Sequence, residues 1–374
     1  MGAVSMSNLR SYDVADFPVP TGREEVWRFA PRTALKPMFD DAPSEGHLQW
    51  ETVLPEGVVL REISTEEATA RAASAPVDRI SALAAKHAGG AVLLEIPAGS
   101  QHPEPVVLDL SGTGREPVVW GWILIEVGEG ASATVALRHF GTAMYAGNVS
   151  VVVKEGARLE FVSVQAWDDD AVHAGHLATR VGRDATLRTV VVTLGGEAAR
   201  LVQTVDYDGP GGDADVRGLY FADAGQRFEH RSFVNHDQPH CRSNVVFKGA
   251  LQGEGARSVW VGDVLIQPSA VGTQTYEINR NLLLDDGPRA DSVPNLEILT
   301  GDVAGAGHAS ATGRFDEEQL FYLRSRGIPE EQARRLVVLG FFADVLDGID
   351  VPMIRSELMR AVEAELGYGE QESA

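Results

Sequence analysis

Potential metal-binding side chains cluster in one short run near the middle of the chain. His236 to Cys241 contains nitrogen, oxygen and sulfur donors, and His230 precedes it. A closed zinc site needs four well-spaced ligands, which this run does not supply. We therefore interpret it as a turn whose polar side chains bond the backbone. Cys241 is the only cysteine, so no intrachain disulfide or Cys-x-x-Cys site can form. We expect it to be a small buried residue.

Two other groups of histidines have different surroundings. His308 lies among Gly, Ala and Ser residues, which predicts a loop with no bulky neighbour. A histidine framed by small residues is accessible to a partner or an ion, so His308 is a candidate functional residue. His173 and His176 follow three consecutive aspartates, and we expect them to lie in an exposed polar loop.

Several aspartates suggest an alternative chemistry. A β-helix that cleaves or hydrolyses polysaccharides would need carboxylates facing each other across a groove. The sequence offers candidates but does not indicate that any two of them face each other. The candidates are Asp206, Asp208, Asp223, Asp285 and Asp286. A polysaccharide lyase or hydrolase is therefore the alternative function.

Composition and missing motifs exclude other classes. The chain has 374 residues and a formal net charge of −22, which disfavours a general nucleic-acid or anionic-membrane surface. No Gly-x-x-x-x-Gly-Lys-Ser/Thr motif occurs, so the chain is not itself a P-loop ATPase. No apolar run is long enough to span a membrane, and no signal segment opens the chain. We expect a cytoplasmic protein.

Short strands with recurring turns dominate the middle of the chain. Runs rich in β-branched and aromatic residues begin near residue 91, and small-residue turns separate them. These turns recur every 26 to 29 residues, with one longer step, at 128–131, 154–157, 182–185, 212–214 and 253–256. Such a period predicts a β-solenoid, because stacked units bury a continuous core. A β-sandwich, with turns every 8 to 12 residues, is the competing fold.

Helical patterns flank this β region. We expect a mainly helical N-terminal region over residues 1–90, a β-helix core over 91–300 and a C-terminal helical region over 301–374. Thr65 is the expected cap of one helix, and residues 80–87 form another. Asp316, Pro329 and Pro352 mark the starts of three C-terminal helices.

Three ordered motifs in the last third of the chain indicate a family. They are TYEINRNLLL at 275–284, RADSVPNLEI at 289–298 and TGRFDEEQLFYLRSRGI at 312–328, with His308 between the last two. The chain resembles the SufB/SufD family of iron–sulfur cluster assembly proteins. Weaker similarity at NHDQPH (235–240) and EVWR (25–28) extends the resemblance over most of the chain. The histidine-rich turn and the N-terminal region look more like SufD than SufB.

The resemblance implies a right-handed parallel β-helix between helical ends, and a non-enzymatic scaffold role. It implies a complex with a SufB-like paralogue, which pairs with the last coils, and with two copies of a SufC-like ATPase. The ATPase would dock on the C-terminal helices. Its contacts would include Phe315, Phe321, Tyr322, Leu323, Arg324, Arg326, Leu336 and Phe341. His308 matches a histidine thought to contribute to a nascent cluster at the interface of the two paralogues.

One departure from the family concerns the sulfur ligand. Relatives often carry a cysteine two residues before the matching histidine, and here that position is Ala306. A thiolate contribution from this chain is therefore not expected, and neither is a stably bound cofactor. A transient cluster or iron at the paralogue interface remains open, as does a homodimer of the isolated chain. A SufB-type cluster-binding subunit is a third possibility, but it would need more thiolates than Cys241.

Overall fold

The computed structural model describes residues 9–366, without the side chain of Glu317. Within this range the chain forms sixteen strands and six α-helices. The strands are β1 Gln49–Val53, β2 Val59–Ile63, β3 Ala91–Ile96, β4 Val106–Val127, β5 Ser132–Val153, β6 Arg158–Trp167, β7 Val172–Val181, β8 Thr186–Thr193, β9 Ala198–Tyr207, β10 Asp213–Ala222, β11 Arg227–His236, β12 Arg242–Leu251, β13 Arg257–Ile266, β14 Thr273–Leu283, β15 Arg289–Ile298 and β16 Val303–Arg314. The helices are α1 Arg32–Leu35, α2 Thr65–Arg71, α3 Arg79–His87, α4 Glu317–Ser325, α5 Glu330–Leu346 and α6 Pro352–Glu365; 3₁₀ turns lie at Val14–Asp16, Glu25–Trp27 and Lys36–Phe39.

The strands stack into a parallel β-solenoid with two faces. Face one consists of the first halves of β4 and β5, followed by β6, β8, β10, β12, β14 and β16. Face two consists of β3, the second halves of β4 and β5, then β7, β9, β11, β13 and β15. Paired residues are 26 apart between β7 and β9 and 32 apart between β13 and β15. The predicted solenoid is confirmed, and the later coils are the longer ones.

The recurring turns place one residue in the left-handed backbone region, just before a buried small residue. Gly130 and Gly156 have φ of 63° there, and their lack of a Cβ makes this conformation inexpensive. Aspartate also tolerates the region, and Asp184 takes the same place with φ of 52°. The next residue is buried in each case: Ala131, Ala157 and Ala185. The same turn chemistry therefore sets the start of successive coils.

The N-terminal region covers face two. Leu35, Met38 and Leu83 are fully buried and pack with outward-facing residues of that face. Asp78 caps α3 by accepting a hydrogen bond from the Ser81 N–H, as part of a capping box. The cap of α2 is Ser64, whose side chain accepts from the Glu67 N–H, and not the expected Thr65.

The C-terminal helices α5 and α6 cover face one. In α6, Ile354, Leu358 and Val362 recur every four residues and pack against Val190 and Val192 of β8. Burying each such side chain contributes about 1.5–3 kcal/mol. Because β8 is buried on both sides, Val190, Val191 and Val192 form a continuous apolar run within it.

Two boundaries differ from the sequence expectation. The N-terminal region contains β1 and β2, which pair antiparallel with β4 and β3 and close that end of the solenoid. The β core continues past residue 300, because β16 adds a last rung to face one. No α-helix in residues 9–366 is long and apolar enough to cross a membrane.

Candidate functional site

The edge strands at the two ends of the solenoid differ in length and direction. At the first end, β1 and β2 are only five residues long and antiparallel to their neighbours. At the other end, β15 and β16 are ten and twelve residues long, and within the described residues each pairs with one strand only. Short edge strands discourage pairing with other chains, whereas long parallel edges invite it. The terminal coil is therefore open.

The interior of this last coil is polar. The inward-facing residues of β14 include Thr275, Glu277, Asn279 and Asn281, and each is at most 3% exposed. Thr275 shares a 2.6 Å hydrogen bond with a serine hydroxyl of β12. Asn279 donates to the hydroxyl of Tyr220 at 3.0 Å, and that hydroxyl donates to Asn281 at 2.6 Å. These three side chains are thus satisfied within the coil.

Glu277 differs from the other inward residues of β14. It is fully buried, and neither carboxylate oxygen has a hydrogen-bond partner in the described structure. Burial raises the pKa of Glu277 to about 8, and the nearby carboxylate of Asp263 adds to the rise. The carboxylate lies against Gly262, where a Cβ would be only 2.5 Å from Oε2. A buried carboxylate without partners is costly and is a common feature of functional sites.

His308 is the neighbour of Glu277 on the adjacent strand. It lies on β16 and not in a loop, because Gly, Ala and Ser residues there pair in register with β14. The register pairs Glu277 with His308, and His308 Nδ1 is 3.7 Å from Glu277 Oε1. The imidazole remains 42% exposed because no further coil covers it. His308 therefore lies between the buried carboxylate of Glu277 and the solvent.

The side chains of Glu277 and His308 could supply two ligands to a metal ion. Among the described residues, no group of three or more His, Cys, Asp or Glu side chains is arranged to hold a metal ion. Ala306 pairs with Thr275 two residues before His308 and supplies no donor side chain. The two orphaned oxygens of Glu277 and the exposed imidazole fit an incoming cation. A partner would have to complete the coordination.

The histidine-rich run spans the end of β11 and the turn after it, and His236 bonds a side-chain hydroxyl and not the backbone that we expected. His236 is fully buried, stacks on Tyr207 and hydrogen-bonds the hydroxyl of Ser243 at 2.8 Å. Cys241 follows His240, which has φ of 59°, and so occupies the buried small-residue position of a recurring turn. Burial raises the pKa of the Cys241 thiol to about 11, which disfavours a thiolate.

The expectation of an exposed loop at His173 and His176 is wrong. Both lie on β7 and are 5% exposed. His173 accepts a hydrogen bond from the indole N–H of Trp167 inside the solenoid. His176 hydrogen-bonds the hydroxyl of Thr204 on β9. The polar sequence is accommodated because hydrogen bonds within the core satisfy these rings.

The candidate carboxylates of the hydrolase alternative have other partners. Asp206 on β9 accepts hydrogen bonds from Arg10 and Asn235. Asp223 follows β10 on the opposite face and accepts from Gln252. Asp285, in the turn after β14, accepts from the backbone N–H groups of Gly253 and Gly287. None of these hydrogen bonds joins one candidate carboxylate to another.

The proposed ATPase contacts divide into buried and exposed residues. Phe315 is 8% exposed and packs with Leu320 and Ala333, while Leu323 and Phe341 are partly buried against the protein's own core. The exposed apolar residues are Phe321 at 74%, Tyr322 at 55% and Leu336 at 47%. Arg324 pairs with Glu330, and Arg326 donates to the Tyr322 hydroxyl at 2.8 Å. An apolar surface on α4 and α5 thus remains uncovered within the described chain.

Sequence reasoning did not single out Glu277. The signal was available in β14, where polar residues alternate with Tyr276 and Ile278. A period of two places residues 275, 277, 279 and 281 on one face of a strand. Only the structure identifies that face as the interior, and only it leaves the carboxylate without a partner.

The fold and this site define a class of protein. It is a parallel β-solenoid with helical covers and an open terminal coil that carries a histidine–carboxylate pair. Residues 110–341 match the family model described as SUF system FeS cluster assembly, SufBD core domain. The chain belongs to the SufBD family, and this membership supports a role in iron–sulfur cluster assembly.

Two relatives that align with nearly the whole chain carry the SufBD family description, and a third aligns with about two thirds of it. An iron–sulfur cluster assembly SufBD family protein of Mycobacterium bovis is 48% identical over 363 residues, covering 95% of this chain and 91% of the relative. A Mycobacterium leprae family member is 46% identical over 370 residues, covering 97% and 94%. The iron–sulfur cluster assembly protein SufD of Escherichia coli is 26% identical over 253 residues, covering 66% and 58%.

Proposed function

We propose that this chain is a SufD-like, non-catalytic scaffold subunit of a cytoplasmic Suf iron–sulfur cluster assembly complex. It binds a SufB-like paralogue through its open terminal coil and a SufC-like ATPase through its C-terminal helices. The observation that carries this proposal is that β15 and β16, at one end of the solenoid, each have one edge without a partner strand in the described residues. Iron or a nascent cluster is the cargo at the interface and not a resident cofactor.

The paralogue is the partner of the open coil. A second parallel solenoid can continue both faces by pairing with the free backbone groups of β15 and β16. Ile298 and Leu299, at 42% and 48% exposed, provide apolar area beside that edge. His308 is exposed at the open end of the same coil, so pairing would bring it to the interface.

The ATPase is the partner of the exposed surface on α4 and α5. Phe321 and Tyr322 are the type of aromatic residue that anchors protein interfaces. This surface is attached to the core through Phe315 and the packed residues of α5. Movement of a docked ATPase would therefore be transmitted to the stiff solenoid and from there to the paralogue.

Co-purification with surface variants tests both interfaces. The wild-type chain is expressed with its SufB-like and SufC-like partners and analysed by size exclusion with light scattering. Ile298→Lys with Leu299→Lys should release the paralogue, and Phe321→Asp should weaken ATPase binding. Val53→Lys, at 63% exposed on β1 at the closed end, is the control and should leave the complex intact. Separate elution of all three wild-type proteins would refute the proposal.

A further inference from the structure

We propose that Glu277 and His308 together form a nitrogen–oxygen half-site for Fe²⁺. This chain would thus contribute an iron ligand pair, and not sulfur, to assembly at its open end. The inference deepens and rests on the proposed function, because it assigns a ligand to the same interface. It adds a buried residue to the exposed histidine and defines the chemical form of the cargo that this chain holds.

The first argument is the uncompensated carboxylate. Inside the terminal coil, Thr275, Asn279 and Asn281 all have hydrogen-bond partners, whereas both oxygens of Glu277 have none. A fully buried carboxyl group without donors is expensive to ionise unless a cation approaches it. The backbone N–H of Asn295 and the imidazole of His308 both approach Glu277, and the 3.7 Å between His308 Nδ1 and Glu277 Oε1 is too long for a hydrogen bond.

The second argument is the separation of the two ligand atoms. With bonds of about 2.1 Å, neighbouring ligand atoms lie about 3.0 Å apart in octahedral coordination and about 3.4 Å apart in tetrahedral coordination. Glu277 Oε1 and His308 Nδ1 are 3.7 Å apart, so small side-chain rotations suffice to bind one ion. Direct pairing of the two residues across parallel strands holds their Cα atoms in place.

The third argument is the chemistry of the donors. Imidazole and carboxylate together suit Fe²⁺, whereas thiolates select iron–sulfur clusters. The position two residues before His308 is Ala306, and Cys241 is buried in a turn of an earlier coil. Because the imidazole is 42% exposed, the remaining coordination positions face outward, where a partner can supply ligands.

Anaerobic equilibrium dialysis of the full-length isolated chain against ⁵⁷Fe²⁺ tests the half-site. High ionic strength screens weak binding by exposed carboxylates, which matters for a chain of net charge −22. We expect one Fe²⁺ per chain with a Mössbauer signature of nitrogen and oxygen ligation. His308→Ala and Glu277→Gln should each weaken binding by about tenfold or more. Glu254→Gln and His47→Ala, in exposed segments, should not.

The outcomes separate this inference from the proposed function. Unchanged affinity in either variant, or a signature of sulfur ligation, would overturn the half-site. Glu277→Gln is nearly isosteric, and an unchanged thermal unfolding midpoint would confirm that its effect is on binding. Co-purification with the SufB-like paralogue is measured on the same variants. A Glu277→Gln chain that joins the complex but does not bind iron supports both conclusions, whereas a wild-type chain that binds iron but joins no complex refutes only the proposed function.

Discussion

Acid should destabilise this protein through five buried histidines. Burial lowers the pKa of His139 and His236 to about 4 and that of His230 to about 3, and the pKa of His173 and His176 also falls. An unfolded histidine has a pKa near 6.5. Between these values the unfolded chain binds protons that the folded chain excludes. Stability is therefore fully present above pH 6.5 and declines as the pH falls towards the folded values.

The size of the effect follows from proton linkage. Each excluded proton costs about 1.4 kcal/mol per pH unit, so at pH 5 each histidine costs about 2 kcal/mol and five cost about 10 kcal/mol. Burial raises the pKa of Glu277 to about 8 and of Glu365 to about 7, and these carboxyls act in the opposite direction. Between pH 6.5 and pH 5, each of these two carboxyl groups offsets at most about 2 kcal/mol of the loss in stability. A net loss of about 6 kcal/mol is comparable with the whole stability of a typical domain.

Urea unfolding between pH 5 and 7.5 measures this loss. Substitution of one buried histidine tests whether these histidines cause it. His230 stacks on Tyr220 and is hydrogen-bonded to Thr193 inside the solenoid. In His230→Gln, the slope of unfolding free energy against pH below 6.5 should decrease by about 1.4 kcal/mol per pH unit. The exposed His47→Gln should keep the wild-type slope. An unchanged slope in His230→Gln would refute the reasoning, whatever its effect at neutral pH.

Two further substitutions test the packing of the solenoid. Glu229→Gln should destabilise the protein by about 3–5 kcal/mol, because Glu229 pairs with two buried arginines, Arg200 at 2.8 Å and Arg231 at 2.7 Å; chemical denaturation measures this loss. Gly262→Ala should cost about 1–3 kcal/mol, because the added methyl group would overlap the buried indole ring of Trp260 and the carboxylate of Glu277. The same substitution should weaken Fe²⁺ binding in dialysis.

Matched controls accompany these two substitutions. Glu197→Gln removes a half-exposed partner of Arg115 and should change stability by less than about 1 kcal/mol. Gly114→Ala places a methyl group in open space on β4 and should be tolerated. Equal effects of Glu229→Gln and Glu197→Gln, or of the two glycine substitutions, would contradict the assignment of these contacts.

Much of the fold could be predicted because local signals agree with the tertiary structure. The turns that end in Gly130 and Gly156 recur with each coil, and their left-handed backbone requires glycine or a tolerant residue. Asp316 accepts hydrogen bonds from two N–H groups at the start of α4, as its sequence position predicts. Gly327, with φ of 83°, follows the end of the same helix.

The other features of the site could not be predicted, because the sequence does not say which side of each strand faces the interior. Polar residues of β7 and β14 look like surface sequence, yet His173 and Glu277 point into the solenoid. A period of two identifies two strand faces but does not say which face is inside when helices cover the outer one. Similarly, the small residues around His308 resemble a loop, and their strand conformation is set by pairing with β14.

Hydrogen exchange of the open coil tests the central claim most directly. Backbone amides in residues 289–298 and 303–314 are compared in the isolated chain and in the complex with the SufB-like paralogue. We predict that both strands gain protection in the complex, because their free edges pair with the partner, while residues 49–53 at the closed end do not change. Unchanged exchange in both terminal strands of an intact complex would contradict the account.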